Sequence, residues 1–332
     1  MVPVGILAGL GVGMLETVCN RLLWGRLGAQ ALYLRLLWPI VGLTISASLL
    51  HRLRVRTVGL LNEVVIHYHA PPETLSPEDD ATKLAACVAT VGLGASAGLG
   101  GPSQWLGARI ALYVDRELAR FRSFRMQNAT HPLLVGAAAG VSAIFRAPLT
   151  GTLLALETPF ARDIDGTALV PASLAAITAH VVHGLLVDNA PLLPFPDHAP
   201  TSRAAFFQAA LLGVAAGFLS RRFQRVMMWT RLRTGHLEWW QRGVLGGVVT
   251  SATALVAWHF YGDTWTLQAG LPLADALFAA KFVGLAALAL LVLKIISVWA
   301  TFGTSGVADL LVVTLTMGAL LGASCVPLLP AL

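Results

Sequence analysis

Residues 98–102 read Gly98-Leu99-Gly100-Gly101-Pro102, inside a stretch, GASAGLGGPSQWLGARIALYV (94–114), that is otherwise largely apolar. Glycine lets backbone approach a ligand or another chain closely, and proline suits the first turn of a helix, where its missing N–H would be unpaired anyway. A helix starting at Pro102 after this approach aims unpaired N–H groups and the positive end of its dipole at whatever lies ahead of it. Such an end is an anion site built from backbone, with no lysine or arginine in it. It suits an ion that must be held weakly enough to leave. The competing use of the same glycines is close helix packing through small residues. A second stretch, VGAAAGVSAIFRAPLTGTLLALE (135–157), repeats the plan: small residues lead to Pro148 and a helical run ending at Glu157.

Irregular backbone survives in a bilayer only where it lines a cavity or is buried in protein, so the setting of these breaks matters. The chain has 332 residues, 56% hydrophobic and 12% charged, with a mean hydropathy of +0.72. Soluble domains carry about twice that charged fraction. Residues 84–108, 204–220, 243–262 and 310–332 contain no Asp, Glu, Lys or Arg, and about 20 apolar residues cross a bilayer as a helix. The expected fold class is an all-α polytopic membrane protein, multi-pass in a plasma or inner membrane, with the lipid bilayer as its partner. The opening MVPVGILAGLGVG lacks the basic region and cleavage site of a signal peptide and is read as the first membrane helix.

The net charge of +6 gathers in short runs, HRLRVR (51–56), RELARFRSFR (116–125) and RRFQRVMMWTRLR (221–233). On a membrane protein such runs mark cytoplasmic loops and lipid headgroup contacts. Without an aromatic-basic platform, nucleic acid is not an expected partner. Cys19, Cys87 and Cys325 all stand in apolar segments and read as small buried hydrophobes. His67 and His69 lack a third ligand nearby and read as loop residues, so neither a metal nor a cofactor is expected. No catalytic constellation stands out, and an enzyme is not expected. Glu16, Arg146, Lys281 and Lys294 are rare residues for their setting. Each is placed near a predicted helix end, where snorkelling accounts for it, and Arg146 is the one most open to a functional role.

Two halves emerge by internal comparison. Leu7–Arg21 aligns with Leu211–Arg225 at an offset of 204, pairing Gly9 with Gly213 and Gly13 with Gly217; Gly42–Ser48 aligns with Gly247–Thr253 at an offset of 205. The expected organisation is a first transmembrane half over 1–187, a linker over 188–203 containing Pro191, Pro194, Pro196 and Pro200, and a second, shorter half over 204–332. Repeated halves are a habit of membrane transporters, which bind substrate between them.

The segments GLGGPSQWLG and GAAAGVSAIFRAPLTGTLLALE resemble the CLC family of chloride channels and chloride/proton exchangers, at its G-R-E-G-P motif and at the segment carrying its A-P break and paired glutamates. LLWPI (36–40) and KIISVWATFG (294–303) are also similar. The resemblance runs from the family's second helix to about its fourteenth; the family continues with further short helices, one bearing a tyrosine of the anion site. It implies an inverted-repeat bundle of broken, tilted helices whose N-termini converge on an anion, and assembly as a homodimer with one pore per subunit. The anion and pore positions it implies are Gly98, Leu99, Gly100, Gly101 and Pro102, Val58 and Gly59 in the first loop, Leu310 and Leu311 in the third, and Arg146, where the family has asparagine.

The departures bear on function. The family's gating glutamate falls at Gly100 and its inner proton-transfer glutamate at Thr158; neither residue titrates at ordinary pH. The serine of the first loop falls at Val58, and the phenylalanine of the third at Leu311 by an ungapped count from Lys294. Asp309, beside that loop, would repel an anion if it pointed inward. The reading is passive conduction of chloride or a similar small anion. The alternatives are a coupled chloride/proton transporter using other groups, and a degenerate, non-conducting homologue that binds a partner.

Overall fold

A computed structural model describes residues 1–53, 60–70, 75–118, 131–187, 190, 192 and 203–326. Helix α1 (Val2–Glu16) runs into a π-helical stretch (Thr17–Trp24) and the short α2 (Gly25–Leu27), followed by α3 (Leu32–Arg52) and α4 (Leu60–His69). Next come α5 (Pro77–Gly92), α6 (Gly100–Leu118), α7 (His131–Phe145), α8 (Pro148–Glu157) and α9 (Leu169–Leu186). The later part holds α10 (Arg203–Thr234), α11 (Trp239–Tyr261), α12 (Leu271–Phe278), α13 (Leu285–Thr304) and α14 (Leu311–Cys325). Five segments are long and apolar enough to cross a membrane: Val2–Leu27, Leu32–Arg52, Gly166–Leu186, Trp239–Tyr261 and Leu285–Thr304. The described chain is an all-helical, multi-pass membrane bundle; its one extended pairing is an isolated bridge between Gly98 and Asp309.

Local chemistry sets the helix starts. Ser76 caps α5 by accepting from the Asp79 N–H at 3.3 Å, with Pro77 first and Glu78, Asp79 and Asp80 in the positive first turn. Glu238 and Gln241 form a reciprocal capping box at α11. Pro148 opens α8, as the sequence predicts. The helix after the glycine stretch starts at Gly100, two residues before the expected Pro102. The Ser103 N–H already bonds the Leu99 carbonyl at 2.9 Å, and Pro102 falls inside a first turn whose N–H groups have no intrahelical partner.

Small residues position the helices. A Cβ on Gly107 would overlap the Gly136 carbonyl, and one on Gly140 the Ser103 carbonyl, so α6 and α7 touch backbone to backbone. That contact holds the N-terminus of α6 beside Phe145 at the end of α7. Gly5 and Gly9 of α1 meet α9 at Ala175, Thr178 and Ala179, and Gly243 and Gly247 of α11 meet α3 at Thr44 and Ile40. Gly213 and Gly217 on α10, which match Gly9 and Gly13 in sequence, face open space among the described residues. The sequence match therefore does not extend to matching packing.

Gly136→Val should cost about 1–3 kcal/mol, the usual penalty of overpacking a tight contact, and lower the melting temperature of the purified protein by several degrees. Gly213→Val, the same change on the open face of α10, should leave it unchanged.

Candidate anion site

The chain reaches the site through two loops that are clamped together. After α5, Gly94 turns the backbone at φ +91°, a conformation open to glycine and strained for other residues. The Gln268 N–H donates to the Gly94 carbonyl at 3.3 Å, and the Gln268 side-chain amide to the Val91 carbonyl at 3.0 Å. The Ser96 N–H donates to Thr301 Oγ1 of α13 at 3.2 Å. The second loop, residues 305–310, is fixed by reciprocal bonds to α3: Ser46 Oγ to the Ser305 carbonyl at 2.7 Å, and Ser305 Oγ to the Leu43 carbonyl at 2.9 Å. The Val307 N–H donates to Thr90 Oγ1 at 3.1 Å. The loops then pair, with the Gly98 N–H donating to the Asp309 carbonyl at 2.9 Å and the Asp309 N–H to the Gly98 carbonyl at 3.0 Å. The pairing brings the N-termini of α6 and α14 to one buried place.

The Asp309 side chain folds into that place. Its Oδ2 accepts from the Leu311 N–H at 3.0 Å, and a Cβ on Gly101 would lie 3.3 Å from Oδ1. A Cβ added to Gly100 would lie 2.6 Å from Oδ2 and 2.9 Å from Phe145 Cζ. Asp309 is 8% exposed. The carboxylate thus sits where the two helix starts meet, satisfying an amide that has no intrahelical partner. Sequence reasoning gave Asp309 an inward orientation only as a condition; the fold supplies it.

Of the sequence-expected positions, Gly98, Leu99, Gly100, Gly101 and Pro102 lie together and are buried. Leu310 caps α14 and Leu311 is its first residue, both half-buried. Val58 and Gly59 lie outside the described residues. Thr158 closes α8, where its hydroxyl donates to the Leu154 carbonyl at 2.6 Å and accepts from Gln104 Nε2 of α6 at 3.3 Å. Arg146 occupies the break between α7 and α8 at φ +56°. Its charge is compensated: Nη2 lies 3.4 Å from Glu16 Oε1, and its other terminal nitrogen donates to the Ala190 carbonyl.

Snorkelling, expected for four charged side chains, fails for three of them. Glu16 is buried between Arg146 and His183, whose Nε2 is 2.8 Å from Oε2. Lys294 lies fully buried within α13 and donates to the carbonyls of Thr266, Leu267 and Gln268 at 3.0, 3.4 and 2.6 Å. It anchors the loop whose Gln268 holds the Gly94 turn. Lys281 is the exposed one, its ammonium 4.9 Å from the Trp265 ring centre. The signal that was available for Glu16 and Lys294 was their place in apolar runs, which calls for burial with partners rather than an end position. His67 and His69 close α4 instead of standing in a loop, with His69 Nε2 2.9 Å from the Pro159 carbonyl. No metal-ligating cluster occurs among the described residues. Cys19 and Cys87 are buried and Cys325 is half-buried, all three as free thiols.

The described residues form a bundle of broken membrane helices in which the starts of α6 and α14 meet around the buried Asp309 carboxylate. The family model described as voltage gated chloride channel matches residues 5–332, and the chain belongs to this family, the CLC proteins. It is 32% identical over 149 residues to chloride channel protein CLC-e of Arabidopsis thaliana, covering 43% of this chain and 20% of that protein. It is 26% identical over 255 residues to a putative chloride channel protein ClcB-like of Ralstonia nicotianae, covering 75% of this chain and 57% of that one. The chain thus spans less than two thirds of the length of either curated relative. Among solved structures, a CLC-type fluoride/proton antiporter superposes with a TM-score of 0.80 at 21% identity, over 99% of this chain and 80% of that one. A slow cyanobacterial chloride/proton antiporter gives 0.75 at 17%, over 95% and 75%. At these identities the likeness establishes the fold.

Lys294→Met should leave three buried carbonyls without their cation and cost about 2–3 kcal/mol, the range for a lost charge-assisted bond in the interior. Thermal unfolding of the purified protein checks this, and a melting temperature equal to wild type would contradict the anchoring role.

Proposed function

We propose that this protein moves small anions, chloride or one of similar size, across its membrane by passive permeation. The observation that carries the reading is the pairing of Gly98 with Asp309, which sets the starts of α6 and α14 against each other in the buried interior. Helix starts attract anions through unpaired N–H groups and the helix dipole. The structurally similar proteins are chloride/proton and fluoride/proton antiporters, which supports the ion class. Against coupling by the family's usual route stand Gly100, which has no side chain, and Thr158, whose hydroxyl is committed to Leu154 and Gln104. Proton-coupled exchange is the second reading, and the buried Asp309 carboxylate favours it.

The same proposal extends to organisation. The chain is two halves, 1–187 and 204–332 about a linker over 188–203, meeting where α3 packs on α11, the helices that carry the second sequence match. Exposed Leu149, Leu153, Leu174, Ile177 and Leu185 on α8 and α9 offer an apolar face for a homodimer.

Chloride-loaded liposomes containing the purified protein test the reading at pH 4.5 and pH 7.5. Passive permeation predicts chloride loss with valinomycin alone and no proton movement. Proton uptake that tracks chloride would establish exchange instead. Silence at both pH values, beside a working control, would contradict anion transport.

A further inference from the structure

Arg221, Arg222, Arg225 and Arg233 belong to the third basic run of the sequence, and the fold places them on a helix, α10, rather than in a loop. All four are exposed. At about 100° per residue they share one side of that helix: counted from Arg221, Arg225 stands at about 40°, Arg222 at about 100° and Arg233 at about 120°. The exposed Trp229 falls among them at about 80°. The buried Phe223 and Thr234 lie on the opposite side, at about 200° and 220°.

Toward the N-terminus the same side carries no charge. Phe207, Leu211, Val214 and Phe218 fall at about 40°, 80°, 20° and 60°, each is more than half exposed, and 204–220 contains no Asp, Glu, Lys or Arg. One face of α10 therefore changes from apolar to basic between Phe218 and Arg221.

Neighbouring protein groups do not neutralise the basic part. α10 has no Asp or Glu, and neither do α13 and α14, the helices it packs on. Among the described residues none of the four arginines has an ion-pair partner. Arg231 and Arg242 have a different use. They donate to the Phe302 and Thr304 carbonyls at 3.0 and 3.2 Å, at the end of α13, where cations suit the negative pole of the helix. The Arg233 guanidinium lies 5.4 Å from the Trp229 ring centre, and tryptophan is at home where headgroups meet hydrocarbon.

We propose that the basic part of α10 is a docking surface for acidic phospholipids, with the apolar part of the same face lying against their acyl chains. Two observations choose the occupant. The unneutralised arginines call for an anion, and their continuity with Phe207 to Phe218 calls for an anion joined to hydrocarbon. A soluble acidic protein or a nucleic acid would match the arginines alone. Arginine also fits the phosphate, since its planar fork gives paired N–H donors to two oxygens, and its stem packs on the chains below.

The test is native mass spectrometry of the purified full chain, titrated in detergent with phosphatidylglycerol, phosphatidylcholine or soluble glycerol 3-phosphate. Wild type should bind phosphatidylglycerol more tightly than phosphatidylcholine. Arg221→Gln with Arg225→Gln should weaken that binding about 25-fold, since each basic residue beside an acidic headgroup corresponds to about fivefold. Arg26→Gln with Arg162→Gln removes the same charge from exposed positions elsewhere and should change it less than about twofold. Where a variant is not recovered monodisperse, wild type alone still decides: its preference for phosphatidylglycerol should fade as salt approaches about 1 M, where screening acts within about 3 Å. Equal affinity for the two lipids, a preference that salt does not touch, or equal losses in the two double variants would overturn the proposal. So would glycerol 3-phosphate binding as tightly as phosphatidylglycerol, which would assign the arginines to a soluble anion.

Discussion

Two helices starting side by side in a buried interior leave unpaired N–H groups and converging positive potential. Water cannot satisfy them freely in a buried site, so an anion or an acceptor must. In this protein the acceptor is built in. Asp309 accepts from the Leu311 amide beside Gly100 and Gly101, and the backbone pair Gly98–Asp309 keeps both helix starts in register around it. The Ser46–Ser305 and Val307–Thr90 bonds and the close packing of α6 on α7 hold those two starts where they are.

The holding is done by two kinds of contact. Where helices must come close, side chains are removed: Gly107, Gly136 and Gly140 let α6 lie against α7, and Gly243 and Gly247 let α11 lie against α3. With little hydrophobic drive between helices in lipid, close packing of this kind supplies much of the association. Where loops must keep an irregular path, buried polar groups supply the bonds that helices would have made. Thr90, Thr301 and Lys294 bond loop backbone, and the loop residues Ser305 and Gln268 donate to the helix carbonyls of Leu43 and Val91. Lys294 is the furthest-reaching of these, because it ties α13 to the segment that clamps the Gly94 turn.

Much of this was legible in the residues. Of the charge-free windows, 243–262 coincides with the candidate span Trp239–Tyr261, while 84–108, 204–220 and 310–332 coincide with none of the five spans; the glycine-proline stretch announced a break followed by a helix, and Pro148 marked the start of α8. Gly98 to Pro102 lie together in the fold because they are adjacent in sequence. What escaped was long-range. The partner of Gly98 is 211 positions away, and no local pattern indicates that Asp309 turns toward Gly100 rather than toward solvent. The pairs Glu16–His183 and Lys294 with the 266–268 carbonyls escaped for the same reason, since a charge in an apolar run can be placed at a helix end until its partner is known. The helix start at Gly100 was missed by two residues because proline tolerates several positions of the first turn. The sequence match pairs Gly9 with Gly213, yet Gly9 is packed and Gly213 is open, which small-residue matching does not distinguish.

The Asp309 carboxylate fills the buried place between the starts of α6 and α14, the place proposed above for a small anion. The direct measurement is an electron-density map of the protein at neutral pH in bromide, collected at the bromide absorption edge, for wild type and Asp309→Asn. The account predicts a carboxylate between the Gly101 and Leu311 amides with no bromide peak there in wild type, and a bromide peak in that place in the variant. A bromide peak in wild type at neutral pH, with Asp309 turned away, would contradict it.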